Sequence, residues 1–157
     1  MKNLFLYIVL LFPMFVFSQN EQLAQNYFDR GEFDKAILIY EDLVKGQPNN
    51  YNYFQKQVAC YQQLNQFDKS ETIIKNRIDK TKQPNLYIEL GYNYQLQKNT
   101  DKADKNYKIA LEKIKENPNN VYNVSRDFEQ KSLVEQAIEA YRLGTLGNPD
   151  ANFDYQV

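Results

Sequence analysis

The 157-residue chain has no histidine, no tryptophan, one cysteine, and only 5 glycines and 5 prolines. Each scarcity excludes something. Without histidine there is no Ser-His-Asp or Cys-His catalytic arrangement, no imidazole metal ligand and no imidazole pH switch. A single cysteine, Cys60, cannot close an intrachain disulfide or build a cysteine-rich zinc site. Acidic and basic residues nearly balance, 20 against 19, so no basic surplus draws the chain to nucleic acid. No glycine-rich phosphate-binding loop and no metal-ligand spacing is present. We therefore expect no enzyme, no cofactor and no metal. What the chain does have is 13 tyrosines, 10 phenylalanines, and 33 asparagines and glutamines together.

The first eighteen residues differ from the rest. Lys2 is a short basic start, Leu4 to Phe17 is apolar apart from Pro13, and Val16 and Ser18 are small enough for a signal peptidase. Gln19-Asn20 is abruptly polar. This pattern predicts a secretory signal peptide over 1–18, cleaved after Ser18. The alternative is a membrane anchor, but the apolar run of about 14 residues is short of the ~20 that span a bilayer. No membrane span is expected after cleavage. The mature chain is expected to be exported: periplasmic, in the cell envelope, or secreted.

The remainder repeats. Ala36, Ser70, Ala103 and Ala137 sit in similar contexts and are spaced by 34, 33 and 34 residues. Each follows a helical pattern with apolar spacings of three and four, such as Phe54, Val58 and Tyr61, or Tyr87, Leu90, Gly91 and Tyr94. Each also begins a second amphipathic segment, clearest in Phe33, Ala36, Ile37, Tyr40, Leu43 and Val44. Short links such as Arg30-Gly31-Glu32 and Gln97-Lys98-Asn99 join the two helices. Ser132 with Glu135 reads as a capping box for the last helix. Asn- and Pro-bearing stretches separate the units.

Two helices and a turn in about 34 residues is the tetratricopeptide repeat (TPR) period, and the sequence resembles that family. Unit one carries Leu23, Ala24, Tyr27, Ala36, Tyr40 and Pro48. Unit three carries Tyr87, Leu90, Gly91, Tyr94, Ala103, Tyr107 and Ala110. Unit four carries Ala137, Tyr141, Gly144 and Pro149. Unit two departs most: Gln57 replaces Leu, Ser70 replaces Ala, and Arg77 stands where a small residue is expected. The expected repeats run over about 19–50, 51–83, 84–117 and 118–151. Residues 152–157 resemble the start of a truncated fifth, so the chain is read as an amino-terminal part of a longer protein.

The resemblance implies an all-α, right-handed superhelical solenoid of stacked antiparallel helix pairs. Its first helices would line a concave groove that binds a peptide or a partner helix. Carried over position by position, the groove-facing residues include Gln22, Gln25, Phe28, Gln55, Lys56, Gln62, Ile88, Glu89, Tyr92, Gln95, Tyr122, Asn123 and Arg126. The side-chain amides suit an extended peptide backbone, and the aromatics suit apolar anchors. The family's clamp for terminal carboxylates is missing, because Glu21, Gln25, Asn85 and Glu89 occupy its positions. The expected function is therefore an exported protein-interaction scaffold with a protein or peptide partner. The alternatives are the extracytoplasmic sensory region of a longer signalling protein and a repeat appendage of a secreted enzyme. Cys60 is expected to be a small buried hydrophobe, the alternative being a reactive thiol. The tyrosine excess is expected to be packing between helices.

Overall fold

A computed structural model of the chain describes residues 19–147. The predicted leader, Pro149 and the predicted opening of a fifth unit lie outside the described residues. Among the described residues every regular element is helical. Helix α1 covers 19–29. It is followed by α2 (Phe33–Gly46), α3 (Tyr51–Gln63), α4 (Phe67–Thr81), α5 (Pro84–Leu96) and α6 (Thr100–Glu116). A short 3-10 turn at Pro118–Asn120 leads into α7 (Val121–Gln130) and α8 (Val134–Gly147). The chain divides into two compact units, one ending at Gln66 and the other beginning at Phe67. This boundary falls inside the stretch 51–83, whose sequence departs most from the repeat pattern. There α4 buries only Ser70 and Ile74.

Asparagine and proline set the helix starts. The Asn50 side chain accepts from the Tyr53 amide at 3.3 Å and caps α3. Asn99 does the same for α6 through the Lys102 amide at 3.2 Å. Pro84 and Pro118 occupy first positions, where no amide hydrogen is required. Part of the large amide count is thus capping rather than surface.

The four turns that follow α1, α3, α5 and α7 share one geometry. The amides of Glu32, Gln66, Asn99 and Leu133 donate to the carbonyls of Tyr27, Tyr61, Tyr94 and Phe128 at 2.8–3.0 Å. One residue earlier, the amides of Gly31, Asn65, Lys98 and Ser132 donate to Phe28, Gln62, Gln95 and Glu129. This is the Schellman termination, which needs a left-handed residue. All four comply, with φ of 74°, 56°, 59° and 57°. Ser132 therefore closes α7 instead of capping α8, which corrects the capping-box expectation.

Small residues permit close helix contacts. Ala24, Ala36, Val58 and Cys60 are fully buried in the first unit, and Ala110, Ala137 and Ala140 in the second. A Cβ on Gly91 would stand 2.4 Å from the Tyr107 ring, so glycine is what lets α6 approach α5 there. The Tyr107 ring also meets Phe128 edge-on at 5.7 Å. The buried tyrosines bury their rings and bond their hydroxyls. Tyr53 donates to Glu21, Tyr61 to Glu41, Tyr94 to Glu71 and Tyr107 to Gln95. In these four tyrosines ring burial and a hydroxyl bond go together, and each ties two elements.

Candidate partner-binding face

In the first unit the outward residues of α1 and α3 form one patch. Gln25 is half-buried; its carbonyl accepts from the Tyr40 hydroxyl at 3.2 Å and its amide donates to Asp29 at 2.6 Å. Phe28 packs edge-on against Phe33 at 5.2 Å, and the Lys56 ammonium lies 4.1 Å from the Phe28 ring centroid. Gln55 and Lys56 are half-buried. Gln62 is only 5% exposed, so it does not present its amide to an open face. A cleft of about 300 Å³ lies beside Gln25, lined by Glu21, Gln22, Tyr40, Asn52 and Tyr53.

In the second unit α5 and α7 supply the corresponding residues. Tyr122 is 59% exposed, flanked by exposed Asn123 and Arg126. The Arg126 guanidinium donates to Asn123 at 3.5 Å. Gln95 is exposed and accepts from the Tyr107 hydroxyl at 2.7 Å. Glu89 is 2% exposed, and Ile88 is fully buried, so neither is an open groove residue. The register places both on a first helix, yet neighbouring helices cover them.

The structure also brings in residues that position counting misses. Lys131 pairs with Glu89 at 2.9 Å and lies 4.7 Å from the Tyr92 ring centroid. Lys131 caps the end of α7, outside the helical positions used for the groove. Asp127 is buried and accepts from the Asn85 amide at 2.5 Å. Burial raises the Asp127 carboxyl above its ordinary value, while Asn85, Arg126 and Lys131 oppose the shift. The register does not single out Asp127: its equivalents Cys60 and Asn93 are buried, but Asn26 is exposed. Burial pushes the Cys60 thiol up to about 12, which makes it an inert interior group.

Among the described residues no group of three or more His, Cys, Asp or Glu could hold a metal ion, and no helix is long and apolar enough to cross a membrane. The arrangement offers aromatic anchors, amides and a few charges on helix faces. Such a surface suits recognition of another chain.

These helices have the fold of a helical-repeat protein of the tetratricopeptide type. No protein-family model matches the chain. The sequence is 28% identical over 119 residues to BBSome complex member BBS4 of Bos taurus, covering 76% of this chain and 23% of that protein. It is 30% identical over 97 residues to BBS4 of Mus musculus, covering 62% of this chain and 19% of that protein. The chain thus spans about a quarter or less of the length of the curated relatives it matches. Among solved structures, a MamA protein aligns with a TM-score of 0.51 and 19% identity, covering 85% of this chain and 73% of MamA. MamA from Desulfovibrio magneticus RS-1 aligns with a TM-score of 0.51 and 13% identity, covering 87% and 77%.

Proposed function

We propose that the chain is an exported scaffold that binds a protein or peptide through the outward faces of its first helices. The reading includes cleavage of a signal peptide over 1–18 and four repeats over about 19–50, 51–83, 84–117 and 118–151. It assigns the chain no catalytic step. The observation that carries it is the exposed Tyr122 flanked by Asn123 and Arg126 on α7. An exposed aromatic beside an arginine is the composition of a binding hot spot. Similarity to a member of a multiprotein complex supports a role in assembling partners.

Photo-crosslinking tests this. A photoreactive residue at position 122 or 28 is expected to capture a partner in the envelope fraction. The same probe at exposed Lys108, on α6, should capture none. Equal capture from all three positions, or a chain retained in the cytosol, overturns the reading.

A further inference from the structure

One helix contact recurs inside the chain, between the second helix of a pair and the first helix of the next. The Tyr61 hydroxyl of α3 donates to Glu41 on α2, and the Tyr94 hydroxyl of α5 donates to Glu71 on α4 at 2.8 Å. The Phe128 ring of α7 meets the Tyr107 ring of α6 edge-on. Tyr61, Tyr94 and Phe128 hold one register position, and all three are buried. So are Gln57, Leu90 and Val124, each four residues earlier on the same helix face.

Helix α1 has the same two positions with less cover. Tyr27 is half-buried, and Leu23 is 43% exposed. Helices α3, α5 and α7 each pack on the helix before them. Among the described residues α1 has no helix before it. Leu23 and Tyr27 are therefore one open half of the recurring contact.

Helix α8 presents the other half. Ala137 matches Ala36 of α2, so Val134 and Ile138 match Phe33 and Ile37. Ile37 is 7% exposed on α2, against which α3 packs. Ile138 is 48% exposed, and Val134 is exposed one turn before it. At the place of Ile37, α4 and α6 carry Glu71 and Asp104. Thus α8 keeps the apolar pair of α2, the helix whose pair is covered. A solvent-facing terminal repeat ordinarily turns a polar face outward.

We propose that copies of this chain stack head to tail, with Val134 and Ile138 of one copy covering Leu23 and Tyr27 of the next, as α2 packs on α3. A second copy is the assigned occupant because one chain carries both halves of a contact that it already makes at three places within itself. The contact is heterologous, so a bound pair still offers one half at each end, and assemblies larger than a dimer follow. It uses neither Phe28 nor Tyr122, so it stands apart from the proposed partner face.

Sedimentation velocity of the purified chain over a concentration series tests this. The sedimentation coefficient is expected to rise with concentration. Ile138→Asp should weaken association roughly tenfold or more, because a carboxylate would enter an apolar contact. Leu23→Asp should do the same from the other end. An equimolar mixture of the two variants should recover association and stop at the dimer, since an intact α8 half then meets an intact α1 half once. Misfolded variants cannot produce that recovery. A chain monomeric at every concentration overturns the proposal, whether its own ends or another protein cover these faces. Association indifferent to both substitutions, or a mixture no more associated than either variant alone, also overturns it.

Discussion

The Lys131 ammonium lies 2.9 Å from the Glu89 carboxylate, with side chains only 16% and 3% exposed. This ion pair joins the end of α7 to the middle of α5 and is nearly dry. Removing one partner leaves the other charge desolvated without its ion pair, a loss of about 3–5 kcal/mol. Glu89→Gln and Lys131→Met should each lower the urea midpoint accordingly. The double variant should recover most of the loss, because it leaves no orphan charge. Equal, additive losses would show that the pair does not act as a unit.

Gly91 faces the Tyr107 ring with no room for a methyl group. Gly91→Ala should destabilise the chain by about 1–3 kcal/mol through overpacking, despite alanine's better helix propensity. Shortening the ring, as in Tyr107→Leu, should relieve part of the cost in the double variant. Thermal or chemical denaturation reads both.

The four equivalent turn residues predict opposite outcomes. Gly31 occupies the left-handed region without penalty, so Gly31→Ala should cost about 1 kcal/mol. Lys98 holds the same conformation as a non-glycine residue, so Lys98→Gly should raise stability by about 0.5–1 kcal/mol. A stabilising Gly31→Ala would contradict the assigned turn.

Asp127 makes a pH-dependent contribution of known sign. Its native carboxyl titrates above the ordinary 3.8, chiefly because it is buried. The native state therefore holds this proton more tightly than the unfolded state does. The resulting stabilisation is complete below pH 3.8 and is lost as pH rises through the native value. Asp127→Asn removes that loss and can still accept from Asn85. The stability of the natural chain minus that of the variant should fall as pH rises from about 3 to 7. A difference that rises over the same range would reverse the assignment.

Cys60 is fully buried and its thiol is shifted up to about 12. A thiol reagent at pH 8 should label the denatured chain at once and the native chain only at the rate of opening. Immediate native labelling would restore the reactive-thiol alternative.

Much of the fold was legible because the repeat period fixes both helices of each pair. The apolar spacing of Ala36, Ile37, Tyr40 and Leu43 is the buried face of α2. The turns were only partly legible. Gly31 signals a left-handed residue, whereas Asn65, Lys98 and Ser132 adopt it because the Schellman bonds demand it. Ser132 followed by Glu135 imitates a capping box because α7 ends so close to where α8 begins. The face was harder still. Register says which helix side Gln62 and Glu89 occupy, but not that other helices cover them. Lys131 could not be found by counting, since it reaches Glu89 from a helix terminus.

The Schellman turns keep the connections between successive helices local. Their bonds span five residues, and in the second unit α5 packs on α6, α7 on α8 and α4 on α5, while α8 also packs on α6. Short loops cost little entropy to close, so such a topology folds quickly and can nucleate at more than one pair. An emerging chain can settle one pair before the next has been synthesised. Damage to one pair would then fray its own helices first, instead of dissolving the protein all at once.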